Sequence, residues 1–376
     1  MSEFKELILI DDYYLKTLIV DINNAKKTID LEVYIFEDDS VGKTVADALC
    51  NAAKQGVKIR VLVDGVGSAT WGGKITDQME LSGIETRIFH PLPWKFLHWR
   101  RSNYLPNVFI KKIFYLLSKL NSRDHRKICI IDKNIIYVGS ANINDNLSDH
   151  VILKKWRDTT VKIMNVNTDE IQYAFDKAWG HIPIKKHLLY IFKKINSQST
   201  FHLNYSWRLR RRYYKQLIKR ISNCKKRIWV TNAYFVPDSH LLKKLEKASQ
   251  KGIDVRILIP GKSDIIFMSM VSTTFYSSLL KSGALIYEYL PTILHAKILI
   301  LDDWTVVGSS NLNYRSFLHD LEVDVEIRSD ETKDVIEKQF LSDINQSRQI
   351  RYEDLNKQTI YRKLLGRFIL LIRYWL

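Results

Sequence analysis

Two histidines hold the chemistry available to this chain, and each sits in the same setting. His125 and Lys127 are followed by four apolar residues, then Asp132, then Gly139-Ser140-Ala141-Asn142. His295 and Lys297 are followed by four apolar residues, Asp302, and Gly308-Ser309-Ser310-Asn311. One copy brings an imidazole, an ammonium and an amide donor to one spot. That set suits a phosphoryl group, with a nitrogen nucleophile or acid and donors for charged oxygens. A pattern with six fixed positions does not recur by chance.

The elements that must position these groups follow from the residues between them. Lys127-Ile-Cys-Ile-Ile and Lys297-Ile-Leu-Ile-Leu read as short buried strands. On a strand, residues two apart share a face, so each His projects with its Lys. Asp132 and Asp302 lie about 16 Å further along an extended chain and have the wrong parity to join them. They fall where hairpin turns are expected, in Asp132-Lys133-Asn134 and Asp302-Asp303-Trp304, so both are read as structural. A second strand then returns the chain to the His–Lys end. There Gly139-Ser140 and Gly308-Ser309 serve as structural motif positions, giving a tight exit that delivers Asn142 and Asn311.

The chain has 376 residues, enough for two domains with substantial cores. Hydrophobic residues make up 46% and charged residues 26%, which excludes a disordered chain. Cys50, Cys129 and Cys224 show no paired spacing, so neither a disulfide framework nor a zinc site is expected. The N-terminus lacks an apolar signal core, and no apolar run is long enough to span a bilayer. A soluble or peripheral protein is expected. The formal charge of +17 calls for an anionic partner, either nucleic acid or an anionic membrane surface.

Strands over 7–10, 28–36, 57–63 and 86–89 alternate with helices over 13–24, 41–55 and 74–81, which predicts an α/β layer architecture. The second half repeats it. Lys26-Lys27-Thr28-Ile29 with Tyr34-Ile35-Phe36 is echoed by Lys225-Lys226-Arg227-Ile228 with Tyr234-Phe235-Val236. Gln55-Gly56-Val57 onward matches Lys251-Gly252-Ile253 onward. The repeat is therefore domain-sized, with residues 1–182 forming one domain, 183–199 a linker and 200–350 a second domain. The first half is longer between Gly56 and His125, and the candidate insertion is 93–122, rich in aromatic and basic residues. As a helix it gathers Lys111, Lys112 and Lys119 opposite Phe109, Ile113, Leu116, Leu117 and Leu120, which fits a lid or interfacial element. The alternative is an ordinary helix packed on its own domain. Residues 184–195 are similar in character. Residues 351–376 end in an amphipathic helix with only basic charges, which fits a membrane surface or docking onto the protein's own core.

At this point the chain resembles the phospholipase D superfamily, whose signature is the duplicated His-x-Lys…Asp…Gly-Ser-x-Asn pattern. It is similar in particular to the bacterial cardiolipin synthase branch, in a short form without N-terminal transmembrane helices. The supporting words include Tyr34-Ile35-Phe36-Glu37-Asp38-Asp39, Asp64-Gly65-Val66-Gly67-Ser68, Trp156-Arg157-Asp158-Thr159 and Asn311-Leu312-Asn313-Tyr314-Arg315-Ser316. His319-Asp320-Leu321-Glu322 departs from relatives that carry Asn ahead of the Glu. The resemblance implies two tandem α/β domains, each a mixed sheet flanked by helices, paired by a pseudo-twofold so that both His–Lys sets enter one site. It implies that one His attacks phosphorus, forming a phosphohistidine, while the other acts as acid and then base. The implied catalytic set is His125, Lys127, Asn142, His295, Lys297, Asn311, Asp158 and Glu322. Asp158 and Glu322 match the acids that orient each His. No metal or cofactor is implied, because the lysines and asparagines hold the phosphoryl oxygens. His90, His98, His150, His181, His187, His202, His240 and His319 are read as polar structural residues.

The function expected is phosphatidyl transfer from one phosphatidylglycerol to another, giving cardiolipin and glycerol. The alternative is a phosphodiesterase using water on phospholipid or nucleic acid, and a non-catalytic lipid-binding protein stands third. The wide apolar faces beside the basic residues favour lipid over nucleic acid. The expected partners are an anionic membrane, at its cytoplasmic face, and phosphatidylglycerol, with no nucleic acid. Oligomeric state and the identity of the attacking His stay open.

Overall fold

The structure, a computed structural model, describes residues 4–102, 105–106, 108–147, 156–180, 182, 200–357, 365–366 and 368–370. The first half runs β1 (Lys5–Ile10), α1 (Asp12–Asn24), β2 (Thr28–Val33), α2 (Ser40–Lys54), β3 (Lys58–Asp64), α3 (Lys74–Leu81), β4 (Glu85–Phe89) and two insertion helices, α4 (Phe96–Trp99) and α5 (Phe109–Ser118). It continues through β5 (Ile128–Ile131), β6 (Ile135–Gly139), β7 (Trp156–Arg157), β8 (Thr159–Met164) and α6 (Asp169–Trp179). The second half runs β9 (Phe201–Leu203), α7 (Trp207–Asn223), β10 (Arg227–Thr231), α8 (Ser239–Gln250), β11 (Asp254–Pro260), α9 (Ile266–Thr273), α10 (Tyr276–Lys281) and β12 (Leu285–Tyr289). It closes with β13 (Ile293–Leu294), β14 (Ile298–Leu301), β15 (Trp304–Gly308), α11 (Tyr314–Leu318), β16 (Val323–Ile327), α12 (Asp330–Asn345) and β17 (Ser347–Ile350).

The duplication is visible in the sheets. The first has the order β1-β8-β6-β5-β2-β3-β4, and the second β9-β16-β15-β14-β10-β11-β12 with β17 added at its edge. Position by position the strands correspond, with parallel β2-β3-β4 and β10-β11-β12 joined to antiparallel hairpins. The fold is thus mixed α/β, as expected. Gly56 (φ 90°) and Gly252 (φ 82°) end the equivalent helices α2 and α8 in the left-handed conformation that glycine adopts without a Cβ penalty.

Alternation along the central strands divides the core. Ile128 and Ile130 face a hydrophobic layer shared with Ile298 and Ile300 of the other half. Cys129 and Ile131 face the first half's own helices, and Leu299 and Leu301 face the second's. The two sheets therefore pack face to face, and both catalytic-type hairpins straddle the shared layer.

Asp132 and Asp302 sit in the hairpin turns with φ near 50°. The Asp132 carboxylate accepts the backbone N–H groups of Lys26, Lys27 and Thr28 at 2.7–2.9 Å, and Asp302 accepts those of Lys225, Lys226 and Arg227 at 2.9–3.0 Å. Each staples a hairpin to the start of the neighbouring strand. Gly139 and Gly308 differ from the expectation of a tight exit, because neither has positive φ. A Cβ on Gly139 would meet the Thr159 carbonyl oxygen at 2.5 Å, and one on Gly308 that of Val323 at 2.4 Å. The glycines allow adjacent strands to approach.

Residues 183–199, and most of the terminal helix expected over 351–376, lie outside the described residues, as do His150, His181 and His187. Within 351–376, Tyr352–Lys357 forms a short 3-10 helix, and Ile369 and Leu370 pack against Val236, Met268 and Val271. Gly366 lies against the Met270 carbonyl. That turn rests on α9, the protein's own surface. Among the described residues no helix is long and apolar enough to cross a membrane.

Candidate active site

The expected strand over 28–36 stops at Val33, and Tyr34 leaves the sheet to lie edge-on to His125, with ring centroids 5.0 Å apart. Tyr234 repeats this beside His295 at 6.4 Å. Two short backbone ladders then join the halves. β13 pairs in parallel with β7, placing Leu294 opposite Arg157, so the next residues, His295 and Asp158, come side by side. The N–H groups of His295 and Ala296 both donate to the Arg157 carbonyl at 2.9 Å. In the other direction Asp124 bridges Leu321, the N–H of His125 donates to the Leu321 carbonyl at 3.0 Å, and His125 meets Glu322.

The result is a crossed pair. His295 Nδ1 lies 2.8 Å from Asp158 Oδ1, and His125 Nδ1 lies 3.1 Å from both Glu322 oxygens. With Nδ1 engaged by a carboxylate, each ring leaves Nε2 for chemistry. The Gly-Ser serines brace these acids. Ser309 and Ser316 hydroxyls donate to Glu322, while the Ser140 hydroxyl accepts the N–H of Thr159 beside Asp158 at 3.0 Å.

Lys127 and Lys297 each donate to the carbonyl of their own His, and Lys127 also lies 5.1 Å over the Tyr34 ring. The side chain of Asn142 accepts from the Ile35 N–H at 3.2 Å, leaving its buried Nδ2 without a protein partner. Asn311 carries a buried unpaired Oδ1, and a half-turn of that amide presents its NH₂ instead. Lys127, Lys297 and the Asn142 amide thus carry N–H donors beyond the bonds they make inside the protein.

Burial sets the electrostatics. It holds His125 well below its ordinary 6.5, with Lys127, Lys297 and His295 adding to the effect. It also lowers His295, against the pull of Asp158. Burial pushes Lys127 down to about 8 and Lys297 to about 7, although nearby carboxylates oppose it. The two acids part company. Burial would raise Asp158, but His295 and Lys297 hold it at about 2, whereas Glu322 is driven well above its ordinary 4.5 by burial that Lys127 only partly offsets. The two half-sites share a geometry, and their surroundings shift the two acids in opposite directions.

The histidines, acids and lysines of the expected catalytic set thus share one buried site in which each imidazole feels both lysines, and the six motif residues brace strands and turns behind them. Sequence reasoning missed four neighbours. Trp156 lies 4.5 Å from the His295 ring, Arg315 pairs with Asp320 at 2.9 Å near His125, and Tyr34 and Tyr234 flank the histidines. The echo of Tyr34-Ile35-Phe36 in Tyr234-Phe235-Val236 was the available signal. Asp320 stands where Asn was expected, its carboxyl raised by burial to about 6 and accepting the N–H of Arg123. Of the other histidines, His90 is buried and hydrogen-bonded, whereas His240 is exposed at the start of α8.

A sequence model described as "Cardiolipin synthase, PLD-like domain" matches residues 18–179 and 217–344. "Cardiolipin synthase 1" of Bacillus anthracis is 31% identical over 98% of this chain and 71% of its own. "Cardiolipin synthase" of Clostridium perfringens (strain 13 / Type A) is 30% identical over 92% of this chain and 71% of its own. Among solved structures, phosphatidylserine synthase of Haemophilus influenzae Rd KW20 superposes with a TM-score of 0.69 at 14% identity, covering 99% of this chain and 95% of that one. Polyphosphate kinase of Porphyromonas gingivalis gives 0.56 at 14% identity over 89% and 46%. At that identity both show a common fold and no more.

Proposed function

Because this chain belongs to the cardiolipin synthase family of phospholipase D-like proteins, we propose that it is a phosphatidyltransferase joining two phosphatidylglycerol molecules into cardiolipin. The observation that supports this most is the crossed pair of imidazoles, each held at Nδ1 by an acid from the other half. Such a pair suits double displacement. The Nε2 of one His attacks phosphorus, the P–O bond to glycerol breaks, and the other His gives its proton to the departing glycerol oxygen. That second His then takes the proton from a hydroxyl of the next phosphatidylglycerol. The freed oxygen attacks phosphorus, the P–N bond breaks, and the first imidazole is restored.

Lys127, Lys297, Asn142 and Asn311 serve as donors to the non-bridging phosphoryl oxygens, whose charge is shared through the transition state. Asp158 and Glu322 orient their histidines and stabilise each imidazolium as it forms. Asp132, Gly139, Asp302 and Gly308 act as scaffold, with Ser140 and Ser309 bracing the acids. We assign the protein a peripheral place on the cytoplasmic face of an anionic membrane. Its +17 charge suits the anionic cytoplasmic leaflet, and its three cysteines are unpaired.

Vesicles containing phosphatidylglycerol labelled in the phosphatidyl group test the reading. Purified protein is expected to yield labelled cardiolipin and to release glycerol, and His125→Ala to yield neither. Labelled phosphatidic acid as the main product would make the protein a hydrolase instead.

A further inference from the structure

The helix α5 turns its apolar residues the wrong way for a surface helix. Of its ten residues only Leu116 is buried. Ile110, Phe114 and Leu117, spaced i, i+4 and i+7 on one stripe, are 64%, 69% and 47% exposed. An ordinary helix packed on its own domain would turn its apolar side inward and its lysines out. Lys112 and Lys119 instead lie half-buried, and Lys111 stays exposed beside the stripe. Trp94 and Phe96, at the head of the same insertion, are also exposed, and Phe96, Trp99 and Phe109 stack into one aromatic cluster joining α4 to α5.

The charges within the insertion are of one sign. From Pro93 to Leu120 there is no Asp or Glu, while Lys95, Arg100, Arg101, Lys111, Lys112 and Lys119 are all basic. Arg101 is spent on Glu80 and Asp77 of α3, but Arg100 and Lys111 stand exposed. Exposed aromatics and aliphatics rimmed by cations match the boundary of an anionic bilayer, where rings sit among headgroups and lysines meet phosphates.

The patch is also wired to the reacting groups. His90 is a buried neutral imidazole whose Nδ1 bonds the Ser122 carbonyl at 2.9 Å and whose Nε2 bonds the Tyr115 hydroxyl of α5 at 3.1 Å. A carbonyl only accepts, so Nδ1 carries the proton and Nε2 accepts from tyrosine. Arg123 adds bonds to the carbonyls of His90 and Lys119. The chain then enters the site, for His125 follows Arg123 by two residues. Helix α5 is thereby clamped to the segment that presents one catalytic-type imidazole.

We propose that the α4–α5 insertion is the membrane-docking element of this protein, with Ile110, Phe114 and Leu117 entering an anionic phospholipid bilayer and Lys111 and Arg100 meeting its headgroups. The inference rests on the lipid-substrate reading above and adds the surface by which the site reaches its substrate. The helix spans about 15 Å, enough to lie along the interface and hold the rim of the site at headgroup level.

Three measurements on the full chain test it: binding to vesicles of equal parts phosphatidylglycerol and phosphatidylcholine, turnover of short-chain phosphatidylglycerol dissolved as monomers, and mass in solution. The variant with Ile110→Ser, Phe114→Ser and Leu117→Ser alters exposed side chains only, and its thermal unfolding is expected to match wild type. It should bind the vesicles about tenfold or more weakly, yet turn over the soluble lipid at the wild-type rate. Lys111→Gln should weaken vesicle binding about fivefold at low salt, with the difference shrinking as salt rises. Unchanged vesicle binding in the triple variant would overturn the proposal. So would a parallel fall in soluble-lipid turnover, which would make the stripe part of the catalytic fold. A wild-type dimer that the triple variant converts to monomer would overturn it too, by showing a second copy on the stripe. If wild-type protein binds vesicles through the stripe but turns over no phosphatidylglycerol in any form, the docking stands and the phosphatidyltransferase reading fails.

Discussion

His295 Nδ1 lies 2.8 Å from Asp158 Oδ1, although 137 residues separate them and they belong to opposite halves of the chain. The contact is produced by backbone pairing, Ile293-Leu294 in parallel with Trp156-Arg157, which ends by setting the two side chains together. The reciprocal pair, His125 with Glu322, is set the same way through Asp124 and Leu321. Neither half holds a complete histidine–acid couple, so the chemistry belongs to the paired fold.

Their surroundings shift the two acids in opposite directions, and their substitutions should differ accordingly. Asp158 is held ionised at about 2, so Asp158→Asn removes a charge that stabilises imidazolium and offers Nδ1 an amide. We expect kcat to fall about 10³-fold or more with KM little changed. Glu322 is pushed upward by burial, so its charge is held less firmly, and Glu322→Gln should cost about tenfold less in kcat than the Asp158 change. Equal losses in steady-state kinetics would show that the half-sites are electrically alike.

Acid stability follows from the same couple. The folded pKa of Asp158 lies below its ordinary 3.8, so the couple stabilises the fold fully above 3.8 and loses that contribution as pH falls toward 2. The amount is about 2 kcal/mol. Denaturant midpoints between pH 5 and pH 2 should therefore drop more steeply in wild type than in Asp158→Asn, a range chosen about the ordinary carboxylate pKa.

The buried lysines predict a further rise of stability with pH at the alkaline end. Lys297 lies at about 7 and Lys127 at about 8, below their ordinary 10.5, so between these values the unfolded chain binds more protons than the folded one. Stability of the free protein should rise with pH across that window. Lys297→Met should raise the melting temperature by several degrees at neutral pH while lowering activity about 10³-fold, a trade between stability and function. In kcat/KM the alkaline limb should begin near these lysine values. Bound phosphodiester raises the lysine pKa values, so the limb in kcat should lie higher. A melting temperature lowered by Lys297→Met would show that the ammonium is stabilised rather than strained.

Much of this was legible in the sequence, for reasons tied to local pattern. The helices at 12–24, 40–54 and 74–81 and the strands between them follow apolar periodicity, and the duplicated motif marks both hairpins. Asp132 and Asp302 could be read as turn residues because parity and reach kept them from the His–Lys end. The crossing of acids between halves was not legible, since it depends on a two-residue ladder, β7 with β13, that no periodicity announces. The interfacial character of 93–122 was legible, but not the stripe of Ile110, Phe114 and Leu117 that turns outward, because amphipathic spacing says which residues cluster and not which way the cluster turns. The glycines of the Gly-Ser motif served close strand approach, which sequence alone does not separate from a turn.

Asp132 also separates scaffold from chemistry. Asp132→Ala removes the acceptor of three backbone N–H groups and should destabilise the fold by about 2–3 kcal/mol. At temperatures where the variant stays folded, its kcat should lie within about twofold of wild type, because the carboxylate faces the turn. A folded variant with a collapsed kcat would place Asp132 in the chemistry.

The most direct measurement of the central claim is a chemical trap of the transferred group. Protein turning over phosphatidylglycerol labelled at phosphorus is quenched in alkali, which preserves a P–N bond. The account predicts acid-labile label on one imidazole, His125 or His295, and none in the variant where that residue is alanine. Label found on a serine or aspartate, or retained when both histidines are replaced, would contradict it.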